Sequence, residues 1–224
     1  MKICFDHGAS HRLTAGKGRQ MARRSTSDGN RARQMLAQEA ARIIVEQGVQ
    51  DYRLAKTKAA ERLGMTERGS LPGNSEIEAA VSEHLQIFGR ESHFDLMQAL
   101  RRAALSAMEI LTQFNPRLVG PVLHGTAGAS SVINLHVFSD TPELIAIQLD
   151  ESRLSYQPYE RRLKSRRDRL ETYAGFRFVQ DDSSVEATVF PIDGMRQAPI
   201  SPVDGKPMKR ADQSTVLKLL DGNL

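Results

Sequence analysis

The dipeptide Asn115-Pro116 divides the chain into two hydrophobic rhythms. Upstream of it, apolar residues recur at the three-to-four spacing of a helix face; downstream they alternate, as in strands with one buried side. The residue before a proline is pushed out of the helical region, so the change of period falls where the backbone must turn. A chain that makes this change once is expected to fold as α+β, with N-terminal helices followed by a small mixed sheet.

The helical half divides further. From Ala32, the residues Met35, Leu36, Ala40, Ile43 and Ile44 form one stripe, closed by Gly48. Asp51 is placed to cap a second helix carrying Leu54, Lys58, Ala59 and Leu63 and stopping at Gly64. MTERGSLPGN reads as a loop. Ser75 and Glu78 then have the spacing of a capping box for a third helix with Ile77, Val81, Leu85 and Phe88 on one face. Ser92 and Asp95 open a fourth, whose stripe is Leu96, Leu100, Ala104, Ala107, Met108 and Leu111.

Beyond Pro116, residues 118–123 are strand-like, 125–131 form a turn and 132–138 alternate. Thr141 and Pro142 open a short helix through about Glu151. Further strands are expected near Tyr156, over residues 176–179 and over 184–191, the last two joined by a hairpin at 180–183. The Pro-rich APISPVDGKP precedes a terminal helix over 213–220. The expected organisation is a disordered basic tail over 1–30, a helical region over 31–92, an α/β core over 93–194 and a Pro-rich segment with a C-terminal helix over 195–224.

The net charge of +4 belongs to one end. Residues 1–34 hold eight Lys and Arg against two Asp, and the rest of the chain carries a net −2. The tail lacks apolar periodicity, so it is expected to be a solvated extension, with Met21 an alternative start; a phosphate-binding arm and an organelle leader are minor readings. The single Cys4 excludes a disulfide framework, and the longest apolar runs are strand-sized. A cytoplasmic protein without membrane contact is the expectation.

The stretch LVGPVLHGTAGASSVINLHVF has the outline of a nucleotide-handling turn without a carboxylate. With the long helix before it and the strands after it, residues 93 to 192 resemble the nucleotidyltransferase fold of the DNA polymerase beta superfamily, of the minimal nucleotidyltransferase type. That resemblance implies a nucleotidyltransferase-like topology. In the family an apolar-Gly-Ser strand leads to an Arg-Gly-Thr-like turn, then Asp-x-Asp, with a third carboxylate on a neighbouring strand. Here Gly120-Pro121 stands for Gly-Ser, His124-Gly125-Thr126 for the turn, Val132-Ile133-Asn134 for Asp-x-Asp, and Glu186 for the third carboxylate.

The resemblance thus assigns Gly120, His124, Gly125 and Thr126 to nucleotide binding. Period-two alternation puts Asn134 and His136 on one strand face, where Glu186 can join them as a remnant polar cluster. Magnesium needs hard oxygen ligands, which Val132 cannot give and Asn134 gives only as a neutral amide. The chain is therefore expected to lack metal-dependent transferase activity and to bind a nucleotide or a protein partner; no metal ligand set is assigned, and Mg2+ with a nucleotide enters only if the atypical site is active.

Other classes leave weaker traces. EAARIIVEQGVQDYRLAKTKAAERLGM has the outline of the start of a helix-turn-helix, but a Gly- and Pro-containing loop stands where a recognition helix should follow. ERRLKSRRDRLE has six bases against three acids and reads first as a solvated strand or helix edge able to touch phosphate. No Gly-x-x-x-x-Gly-Lys-Ser/Thr loop occurs, which removes the phosphate cradle of a nucleotide-dependent ligase; GKG at 16–18 has no strand before it.

Overall fold

The computed structural model describes residues 16–49, 51–65, 71–88, 90–166 and 169–222. The helices are α1 Gly16–Gln47, α2 Tyr52–Arg62, α3 Asn74–Phe88, α4 Arg90–Ile110, the single turn α5 Pro121–His124, α6 Glu143–Glu151 and α7 Gln213–Leu220. The strands are β1 Arg117–Val119, β2 Ile133–Phe138, β3 Tyr156–Arg166, β4 Arg169–Gln180 and β5 Ser183–Phe190. The fold is α+β, with the N-terminal helices preceding a mixed five-stranded sheet.

Helix α1 starts within the segment expected to be a tail, and the helix expected from Ala32 is its C-terminal half. Residues 1–15 lie outside the described residues. Alanines dominate where α1 meets α2: Ala37, Ala40 and Ala41 face Ala55, Ala59 and Ala60, and all are buried. Small side chains let the two axes approach closely. Ile77, Val81 and Leu85 of α3 complete this first core.

Asp51 caps α2 as its position suggests, accepting from Arg53 N at 2.7 Å and Leu54 N at 3.4 Å. The start of α3 differs from expectation. Glu76, not Glu78, reaches back to the Gly73 amide at 2.6 Å, because the helix begins one residue before Ser75. Glu78 is thereby released for another contact.

The sheet runs in the order β1-β2-β5-β4-β3, and only β2 and β5 are parallel. Helix α6 and the β3–β4 hairpin lie between them in sequence, which gives the parallel pair the crossover it needs. One sheet face is apolar: Ile133, Leu135 and Val137 of β2, Val185, Ala187 and Val189 of β5, and Phe176 and Phe178 of β4. It packs on α4 through Met97, Leu100, Ala104, Met108 and Leu111, with Ile145, Leu149 and Val216 from α6 and α7 closing the second core. The expected boundary at 92/93 falls inside the first turn of α4.

The β3–β4 hairpin is longer than the strand signals at Tyr156 and residues 176–179: the charged run between them, expected as a solvated strand or helix edge, forms two further lengths of paired strand. Its residues are solvated, so no apolar alternation marks them.

Candidate functional site

The opposite sheet face carries the polar residues. In register, Asn134 pairs with Glu186, His136 with Thr188 and Phe138 with Phe190. β4 adds Arg177 beside Glu186 and Gly175 beside Thr188, and β3 sets Tyr159 beside Gly175. A Cβ at Gly175 would lie 2.4 Å from the Tyr159 ring, so only glycine lets that ring fold across β4. Its hydroxyl thereby reaches Thr188 Oγ1 at 2.8 Å.

Glu186 is 5% exposed, and both its oxygens are taken. Oε2 accepts from Arg161 Nη2 at 2.6 Å; Oε1 accepts from Arg177 Nη2 at 2.6 Å and Nε at 3.0 Å. The second Arg161 nitrogen, Nη1, donates to Asn134 Oδ1 at 2.7 Å, while Asn134 Nδ2 donates to Val132 O at 3.0 Å. Arg161 therefore joins two of the three residues expected to cluster. The third, His136, is one rung away and meets a different partner. Its Nδ1 accepts from Arg210 Nε at 3.0 Å, and burial, then the Arg210 and Arg161 charges, hold its pKa well below the ordinary imidazole value. It is a neutral acceptor.

Arg210 arrives from the segment before α7. It lies over the rings of Phe138 and Phe190, with its guanidinium carbon 5.0 and 5.1 Å from their centroids, and donates through Nη1 to the carbonyls of Gly194 and Met195. Burial, then Arg117, push its pKa down to about 10, and its Nη2 is buried without a hydrogen-bond partner. The guanidinium groups of Arg161, Arg177 and Arg210 thus gather on the face that carries Glu186. The Arg161 side chain is 29% exposed and that of Arg177 is 51% exposed, so this charge meets solvent.

The turn residues have other work. Gly120 precedes α5 and Gly125 follows it, and the amides of His124, Gly125 and Thr126 bond to the carbonyls of Gly120 and Pro121. His124 is exposed. The buried Thr126 hydroxyl donates to Glu78 Oε1 at 2.6 Å, and Glu78 Oε2 accepts from Tyr52 at 2.5 Å. His93 Nε2 donates to Gly125 O at 3.0 Å. Gly48, at φ 65°, sits so close to this loop that a Cβ would meet Ser130 Oγ at 2.0 Å. The turn is the seam between the helical core and the sheet core, and the Thr126 hydroxyl and the amides of His124, Gly125 and Thr126 are already bonded within the protein.

A divalent ion requires free oxygen donors. Both Glu186 oxygens and Asn134 Oδ1 accept from guanidinium, the Val132 side chain has no oxygen and its carbonyl accepts from Asn134, and among the described residues no group of three or more His, Cys, Asp or Glu could hold a metal. The residues present do not fit magnesium. A groove of about 390 Å3 lies elsewhere, between α1 and α3, lined by Met35, Glu39, Leu63, Glu83 and Ile87 among others, and shares no residue with the polar sheet face.

Sequence reasoning missed Arg161, Arg177, Arg210 and Tyr159. Arg161 left a trace as part of the basic run ERRLKSRRDRLE, and Arg177 as the polar residue between Phe176 and Phe178 in GFRFVQ. No family model matches the chain, and neither a curated protein nor a solved structure matches it.

Proposed function

We propose that the polar face of the sheet binds the phosphate of a nucleotide without magnesium, in a nucleotidyltransferase-like chain that does not transfer nucleotidyl groups. The observation that carries this reading is the Arg161–Glu186–Arg177 array with Asn134 attached to it. In the family that residues 93–192 resemble, carboxylates gather metal ions and the ions neutralise phosphate. Here the carboxylate gathers guanidinium groups instead. Each guanidinium has five N–H donors, and Arg161 and Arg177 spend two apiece on Glu186 and Asn134, so donors remain for a bidentate phosphate contact.

With Glu186 offsetting part of the charge, affinity on the order of 0.1 to 1 mM is expected. Calorimetry with ATP, GTP, CTP and UTP tests it. Binding should be unchanged by chelating magnesium and lost in Arg177→Ala, and radiolabelled triphosphates should give no transfer product. Magnesium-dependent binding, or transfer abolished by Glu186→Gln, would overturn the proposal.

A further inference from the structure

The β3–β4 hairpin outruns the sheet that supports it. β4 pairs with β5 only over Gly175 to Gln180, whereas it pairs with β3 as far as Arg166 and Arg169. The outer part is strongly basic and is no part of the Arg161–Glu186–Arg177 array apart from Arg161. Arg162 and Lys164 lie on the sheet face opposite to Arg161, and both are exposed. Across the ladder they face Thr172 and Leu170, so neither has a carboxylate opposite, and among the described residues neither forms an ion pair. Arg169, on the other face, is 77% exposed and has a 3.6 Å contact to Glu171, a carboxylate that also accepts from Ser165 and Tyr173.

A hairpin designed only for solubility places opposite charges across its ladder, where each pair adds stability. This one leaves Arg162 and Lys164 without an ion pair among the described residues on one face, and on the other it presents Arg169, 77% exposed and held by a 3.6 Å contact to a Glu171 that also accepts from Ser165 and Tyr173. Glu160, paired with Ala174, bounds the basic part at its base.

We infer that the outer hairpin docks into the groove of duplex DNA, gripping the phosphate backbone without reading sequence. Cations on two faces of a ribbon suit a groove with phosphates on both walls. The B-form major groove, about 12 Å wide, admits a two-stranded ribbon, whereas that of A-form RNA is too narrow. The exposed residues described in the outer hairpin include no aromatic ring, so among them there is no stacking platform for single strands. A protein interface would be expected to centre on aromatic anchors, and Leu170 is the only large exposed apolar side chain described there.

The test is fluorescence anisotropy of the full chain with a labelled DNA duplex of arbitrary sequence between about 50 and 200 mM salt, the range over which phosphate contacts are lost. The triple variant Arg162→Ala, Lys164→Ala, Arg169→Ala should bind roughly tenfold or more weakly, with a salt slope shallower by about 2 to 3, near 0.9 per lost phosphate contact. Arg162→Lys with Arg169→Lys should keep the wild-type slope, which separates charge from any loss of folding. A control removing Arg196, Lys206 and Lys218, all exposed, should bind as wild type. Equal weakening in the control, an unchanged triple variant, equal binding of duplex RNA or single-stranded DNA, or preferential binding of polyglutamate would each overturn the inference.

Discussion

The two faces of the sheet are built from the same strands by opposite means. On one, Leu135, Val137, Ala187 and Val189 are buried because of what they are: each is apolar, and any close-packed cover satisfies it. On the other, His136, Glu186 and Thr188 are just as deeply buried, at 1%, 5% and 0% exposure, because of what reaches them. Arg161, Arg177, Tyr159 and Arg210 come from another strand, the same hairpin and a distant coil to cover them. A buried polar group is tolerated only when bonded, so this face depends on specific partners where the first depends on volume and hydrophobicity. The apolar face is a tolerant foundation, and the polar face is a constructed surface.

That contrast predicts its own largest effect. Leu135→Ala removes a fully buried side chain between β1 and β5 and should cost about 2 to 5 kcal/mol in urea unfolding, with the spread set by how far the cavity collapses. A cost below 1 kcal/mol would mean that the apolar face is loosely packed and that the two faces are less distinct than their burial suggests.

Glu186→Gln addresses the constructed face. The amide keeps one acceptor but turns an N–H toward the guanidinium group that had faced carboxylate. Loss of charged hydrogen bonds at a buried site should cost about 1 to 3 kcal/mol, moderated because Arg161 and Arg177 are partly solvated and can rehydrate. No loss in urea unfolding would reduce the array to a surface network.

The same difference decides what the sequence disclosed. The stripes of α4 and the first face of β2 were legible because burial there follows residue type alone, and the caps at Asp51 and Gly48 because their chemistry is local. The Asp181-Asp182 turn, at φ 47° and 59°, closes the β4–β5 hairpin where turn residues stood in the sequence. Asn134 and Glu186 were placed together by strand alternation, but nothing local says that Arg161 lies between them. Glu78 had the spacing of a capping residue; only the docking of α3 against the turn shows it holding Thr126 and Tyr52. Arg210 lies in coil, 74 residues along the chain from its partner His136, beyond the reach of any periodicity argument.

His136 gives the polar face a signature in pH. Its pKa in the folded protein lies well below the ordinary value, so the unfolded chain takes up the proton first as pH falls. The stabilisation is complete above about pH 6.5, the unfolded pKa, and falls below it, by up to about 1.4 kcal/mol per pH unit for one proton. His136→Asn keeps an oxygen acceptor for Arg210 but cannot titrate. Urea unfolding at pH 7.5 and 5.5 should show a smaller difference in that variant than in the wild type. Equal differences would mean that His136 is protonated in the folded state and that Arg210 is not its donor.

The smallest expected change in stability falls on the residue with the largest expected role in binding. Arg177 is half exposed, and when it is truncated Glu186 keeps its 2.6 Å bond to Arg161, so the carboxylate is not left buried alone. A partly solvated ion pair contributes about 0 to 1 kcal/mol, and Arg177→Ala should unfold in urea within that range of the wild type. If the polar face exists to be met by phosphate, the same substitution should remove nucleotide binding while sparing the fold. A loss of several kcal/mol would place Arg177 among the supports of the sheet and make its charge a structural device. Unchanged stability with unchanged binding would move the role to Arg161, the other guanidinium on Glu186, which Arg161→Ala, read in the same two measurements, would then decide.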